Sequence, residues 1–272
     1  MNEPVFYING DYVERSRASL SIENIGLQRS FGIFDLFRTR NRIPTFLPDY
    51  LNRFDNSQRF LGLSEIVSKD KIQHIIQELK DRNSFQHSTF KMLLLGDGFD
   101  TDPEFIPHLS VINLPLNLAA NPNSIDLITH EYVRENASIK SLNYSVSFSL
   151  QRQKIAAGAS EILFHADGIL SECSRCNVFL VRDGHIATPS RNILEGITRK
   201  HVMSVASGLY QLEVRDVTIH ELWEADEIFV TSTTKAIMPV TKIDGKSIGG
   251  GQIGVITKKL QGEFQDYIES SL

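Results

Sequence analysis

A chain of 272 residues with 41% hydrophobic content can bury one large core or two smaller ones, which excludes a disordered polypeptide. Its net charge of -5 and pI near 5.9 leave no basic footprint, so small-molecule chemistry is expected rather than a nucleic-acid backbone or an anionic membrane. No charged-then-apolar segment opens the chain and no apolar run approaches the roughly 20 residues that span a bilayer, which predicts a soluble, cytoplasmic protein.

In chain order, "PVFYINGDYVE" predicts a hairpin around Asn9-Gly10, a pair favoured in tight primed turns. "FGIFDLFRTRNRIPTFL" predicts a second strand pair turning at Arg40 to Arg42. Pro48 and Asp49 open a helix over "PDYLNRFDNSQRFLGL", with Leu51, Phe54 and Leu61 on one face and Arg53 opposite them, where spacing alone predicts solvent. A second helix, about Asp70 to Arg82, leads to the strands "FKMLLLGDG" and "HLSVINLPL". Periodicity is lost across "PLNLAANPN", which predicts a linker at 117–122 between a smaller α/β domain, 1–116, and a larger one, 123–272.

Beyond the linker, a strand near Ser124 to Val133 and a helix near Val146 to Gly158 are expected. "EILFHADGILSECSRCNVFLVRDGHIATP" pairs strands through turns at Asp167-Gly168 and Asp183-Gly184. "GITRKHVMSVASGLY" spaces Val202, Val205 and Leu209 as in an amphipathic helix, and "DEIFVTSTT" is a buried strand ending in four hydroxyl residues. The fold class is α/β (α+β), in two lobes.

Five features bear on chemistry. Cys173 and Cys176 lack the second pair that a structural zinc site needs, and they precede a strand rather than the helix start usual for redox pairs; they are read as small residues packed under that strand. "LEGITRKHV" sets a glycine before a helix start, either a plain turn or a phosphate site made of free N–H groups. Thr231 to Thr234 end an apolar strand, either as a capped loop or at a ligand. Lys140 stands in the uncharged "ASIKSLNYS", where a lysine either reaches solvent or, if desolvated, becomes a Schiff-base nucleophile. Glu172 is either an edge carboxylate or a buried one that requires a cation. Neither a Walker loop nor a GxGxxG fingerprint is present, which disfavours ATP and NAD chemistry.

Taken in order, "IKSLNY", "LSECSRCNVFLV", "LEGITR" and "DEIFVTSTTKAIMPVTKIDGKSIG" resemble the class IV, fold type IV aminotransferases, which use pyridoxal 5'-phosphate and include branched-chain and D-amino-acid aminotransferases and aminodeoxychorismate lyase. The resemblance implies a two-domain enzyme with the cofactor in the interdomain cleft, assembled as a homodimer. It makes Lys140 the lysine of the internal aldimine and of α-proton transfer, and Glu172 the partner of the pyridine nitrogen. Ile197 and Thr198 match the backbone cradle of the cofactor phosphate, with Thr233 and Thr234 closing its other side. Arg53 matches the family's phosphate arginine, although Tyr50 replaces the histidine that usually precedes it.

The substrate side departs from the family. "SFGIFDLFR" carries Asp35 for the usual glutamate, and "FKMLLLGDG" has Leu95 or Phe90 where several relatives place an arginine for the substrate carboxylate. Alternation puts Phe34, Leu36 and Arg38 on one strand face; the resemblance to the branched-chain branch, which has its pocket phenylalanine and a nearby arginine on that face, implies Phe34 and Arg38 as the candidate substrate residues, an outward-facing arginine being the alternative. The expected reaction is transamination between a primary amino acid and a 2-oxo acid. The rivals are pyruvate elimination from aminodeoxychorismate and a non-catalytic ligand-binding protein.

Overall fold

A computed structural model describes residues 3–98, 104–116 and 122–272; residues 117–121 of the expected linker lie outside the described part. Two compact units form, one of Met1–Leu118, Ile139–Asn143 and Leu272, the other of Ala119–Ser138 and Tyr144–Ser271. The chain does not divide at a single point, because the short segment carrying Lys140 goes with the first unit.

The first unit contains β1 (Val5–Ile8), β2 (Asp11–Glu14), α1 (Ile25–Arg29), β3 (Gly32–Arg40), β4 (Ile43–Pro44), α2 (Leu47–Leu61), α3 (Lys69–Asn83), β5 (Ser88–Asp97) and β6 (Ile106–Pro115). Its sheet runs β2-β1-β6-β5-β3-β4, and every pairing is antiparallel. Both expected turns form; Asn41 and Arg42 have φ of 49° and 65°, the paired positive values of a primed hairpin. Strand alternation sorts the sheet into two faces. Ile33, Asp35, Phe37, Phe90, Met92 and Leu94 are buried on the face that meets α2, whose Leu51 and Phe54 are also buried. Phe34, Leu36, Arg38, Thr89, Lys91 and Leu93 are half-buried on the opposite face. Ile139–Asn143 docks along β3: Ile33 bridges Ser141, Phe34 N donates to Lys140 O at 3.0 Å and Leu142 N donates to Gly32 O at 3.1 Å.

The second unit contains β7 (Ile125–Glu131), α4 (Ser145–Ser149), α5 (Gln151–Ala156), β8 (Glu161–Ala166), β9 (Ile169–Cys173), β10 (Asn177–Arg182), β11 (His185–Pro189), α6 (Ile197–Ser207), β12 (Leu212–Arg215), α7 (Ile219–Glu224), β13 (Glu227–Ser232), β14 (Ala236–Ile243), β15 (Lys246–Ser247) and α8 (Val255–Ser270). Its mixed sheet runs β12-β11-β10-β13-β14-β7-β8-β9, with β15 on β14. The helix expected near Val146 to Gly158 is two short ones that meet at Leu150, where ψ of 0° departs from helical values. Likewise α6 buries Val202 but stops at Ser207, so Leu209 lies beyond its end and is 41% exposed.

Cys173 and Cys176 pack in the core beside Val178 and Val230. Burial pushes the Cys173 thiol well above its usual range and Cys176 up to about 12, so at neutral pH both stay protonated and are poor ligands and nucleophiles. Among the described residues no helix is long and apolar enough to cross a membrane.

Candidate functional site

In the second unit Glu172, next to last in β9, is buried at 6% exposure, and it has the cation that such burial demands. Arg134 Nε and Nη2 lie 3.0 and 2.9 Å from its Oε1. Oε2 accepts the Leu194 N–H at 2.9 Å. Two charge-assisted contacts on one oxygen and a backbone donor on the other fix the carboxylate in orientation. Arg134 itself is oriented by donating to Ala137 O.

Leu194 links this carboxylate to the helix start that follows. Its carbonyl accepts from Asn177 Nδ2 at 2.8 Å, and Asn177 Oδ1 lies only 2.1 Å from where a Cβ on Gly196 would stand. The glycine is thus required by close approach, since its φ of -63° suits any residue. Gly196 caps α6, whose first helical bond runs from Lys200 N to Gly196 O at 2.9 Å. The N–H groups of Ile197, Thr198 and Arg199 therefore lie outside the helical ladder, at the positive end of an eleven-residue helix. Arg199 is held away by Thr188 Oγ1 and Pro189 O, and burial lowers its pKa.

The hydroxyl run is divided between roles. Thr231 pairs in register with Asn177, and its Oγ1 is buried with no hydrogen-bond partner among the described residues. Thr233 follows just after β13, half-buried, whereas Thr234 is exposed with its hydroxyl 3.3 Å from that of Ser232.

In the first unit Lys140 is half-buried, and its Nζ lies 4.8 Å from the centroid of the Phe34 ring. Arg38 lies two rows further along the same face of β3; burial and then Arg40 lower its pKa, and its Nε is buried without a hydrogen-bond partner among the described residues. An arginine pointing freely outward does not fit that burial. Arg53 corrects the expectation drawn from spacing. Instead of facing solvent, it reaches β3 and forks onto Asp35, with Nε to Oδ2 at 2.9 Å and Nη2 to Oδ1 at 2.6 Å. Asp35 is 1% exposed, and its charge holds the guanidinium against the sheet.

Residues 32–243 match the family described as amino-transferase class IV. The chain belongs to the class IV aminotransferases. It is 31% identical to a putative branched-chain-amino-acid aminotransferase of Methanocaldococcus jannaschii, over 96% of this chain and 95% of that one. It is 30% identical to a D-alanine aminotransferase of Bacillus licheniformis, over 96% of each. The branched-chain amino acid aminotransferase of T.th., solved with pyridoxamine 5'-phosphate, superposes with a TM-score of 0.91 at 26% identity, covering 100% of this chain and 96% of that one. The fold is therefore type IV and the activity amino transfer; these relatives do not favour the lyase alternative.

Sequence reasoning about this aminotransferase missed Arg134 as the partner of Glu172 and Asp35 as the partner of Arg53. Arg134 lies 38 residues from Glu172 and Asp35 lies 18 from Arg53, so no local pattern joins them. The signal the sequence does carry is that a buried carboxylate such as Glu172 needs a cation, though nothing local says which one.

Proposed function

We propose that this aminotransferase works with pyridoxal 5'-phosphate, held at its phosphate by the α6 start and at its ring nitrogen by Glu172. The observation that carries the reading is Leu194, which binds Glu172 through its N–H and Asn177 through its carbonyl, so a carboxylate and an anion-binding helix start are built as one piece. The residues fit the group: N–H donors of Ile197 and Thr198 outside the ladder and the orphaned Thr231 hydroxyl suit a phosphate, while a fixed carboxylate suits a protonated ring nitrogen. Thr233, Thr234 and Arg53 complete the phosphate set in this reading, by their match to the family pattern.

The cofactor, when bound, supplies an electrophilic carbonyl and an electron-accepting ring. Glu172 keeps the ring nitrogen protonated. Lys140 would hold the cofactor through its carbonyl carbon, with release of water, and once the substrate amine displaces it the free Nζ would carry the proton from the substrate Cα to that carbon. Phe34 and Arg38 form part of the substrate side, with an amino acid as donor and a 2-oxo acid as acceptor. A homodimer in the cytoplasm belongs to the same reading: the first follows from the family resemblance, the second from two free buried cysteines that suit a reducing compartment.

The test incubates the yellow holoenzyme with panels of L- and D-amino acids and with aminodeoxychorismate. The expected result is loss of yellow absorbance with one equivalent of 2-oxo acid released per site. Lys140→Ala should abolish this while cofactor is still retained through its phosphate. Release of 4-aminobenzoate with no amino transfer to any 2-oxo acid would overturn the reading, as would turnover by Lys140→Ala within a few fold of the parent.

A further inference from the structure

Strand β5 contains no arginine, and neither position weighed for one can supply a cation, since Phe90 is buried on the α2 side and Leu95 is 2% exposed. The strand does contain one cation, Lys91. Register pairs Lys91 with Leu36 and Thr89 with Arg38, so Lys91 lies on the face of Phe34, Leu36 and Arg38. It is the diagonal neighbour of Arg38, at roughly 7–8 Å between Cα atoms. Its Nζ lies 5.1 Å from the centroid of the Phe34 ring, the same ring that Lys140 Nζ approaches at 4.8 Å. The proposed reacting amine and the Lys91 ammonium thus sit against one side chain, within reach of one small substrate.

Among the described residues Lys91 forms no ion pair, and the nearby acid of β3, Asp35, lies on the opposite face and is taken by Arg53. Burial lowers the pKa of Lys91 from its ordinary value, so the charge beside the Phe34 ring is partly desolvated. Two further polar groups on this face are buried and unpartnered, Arg38 Nε and the Oγ of Ser110, which stands opposite Leu93 and is 3% exposed. Polar groups left without partners on a partly dry face cost free energy until a ligand supplies one.

We propose that Lys91 binds the substrate carboxylate, sharing it with Arg38, and so replaces the arginine that β5 lacks. This rests on the aminotransferase reading of the site. Lys91 Nζ stands against the ring that Lys140 also approaches, and that proximity fits a carboxylate bonded directly to the carbon whose proton Lys140 moves. A compact ammonium, unlike a guanidinium fork, accepts that carboxylate in more than one orientation.

The test is calorimetric titration of the holoenzyme with 4-methylvaleric acid, a carboxylic acid without an amino group, beside half-reaction rates for an amino acid and for its decarboxylated amine. Lys91→Met should weaken acid binding at least about thirtyfold, the lower range for truncating one partner of a desolvated charge pair. It should raise KM for the amino acid more than it lowers kcat and leave the amine's rate within a few fold, and Lys91→Arg should restore acid binding. Should Lys91→Met fail to fold, Lys91→Gln takes its place. A wild-type holoenzyme that does not bind the acid, a loss under threefold, or equal losses for amino acid and amine would overturn the proposal. Acid binding that depends on Lys91 in a protein that transfers no amino group would leave the anion seat standing and remove the aminotransferase reading.

Discussion

Gly196→Ala probes the piece that joins Glu172 to the helix start. Alanine tolerates the native backbone, φ -63° and ψ 133°, so the cost is steric and comes from a Cβ placed 2.1 Å from Asn177 Oδ1. Asn177 is 5% exposed, and it can yield only by releasing Leu194 O, now bound at 2.8 Å. A buried amide and a buried carbonyl then lose their partners, at about 1–3 kcal/mol. We expect about 2 kcal/mol less stability in urea denaturation, with unchanged m. Displacement of the helix start should also weaken cofactor binding at least about tenfold, or about 1.4 kcal/mol. The control is Asn177→Ala, which removes the obstacle: in that background Gly196→Ala should cost less than about 0.5 kcal/mol, giving a coupling energy well above additivity. An equal cost in both backgrounds would refute the reasoning, because the glycine would then be needed for some reason other than Asn177.

Glu161 is fully buried between Lys235 Nζ and Arg175 Nη2, each at 2.9 Å, and Glu161→Gln should cost about 3 kcal/mol by stranding those cations, with half-exposed Arg175 free to turn outward. Burial pushes the Glu161 carboxyl up, but Lys235, Arg175 and Ser174 outweigh it and leave the pKa below its ordinary 4.5; the native advantage is then present above pH 4.5 and lost as pH falls through the depressed value, so stability curves of parent and variant should converge in acid. Asp35→Asn removes the charge held by the Arg53 fork and should cost about 3 kcal/mol in the absence of cofactor; a loss under about 1 kcal/mol would mean that the fork contributes little. Glu172→Gln should keep cofactor bound and slow the half-reaction about a hundredfold or more, read by stopped-flow absorbance, and an unchanged rate would make Glu172 a structural residue only.

The sequence by itself determined the local elements, because turn chemistry and side-chain period act over a few residues. Asn9-Gly10 and Arg40–Arg42 become hairpin turns, Pro48 enters α2 near its start, and Gly196 caps α6. It also carried the family and its reaction, through four motifs whose order is legible without coordinates. Tertiary structure decided which groups meet. Spacing within α2 put Arg53 in solvent, and only the pairing of α2 with β3 gave it Asp35. The motif around Glu172 names a carboxylate but not Arg134, which arrives from a loop beyond β7. Lys91 lies in an apolar run where no pattern singles it out, and register alone turns it toward Phe34 and Arg38. Lys140, past the expected boundary in sequence, returns to β3 through two backbone hydrogen bonds. In each case a partner distant in the chain supplies the charge, ring or backbone group, and neither local propensity nor local spacing encodes which distant segment that will be.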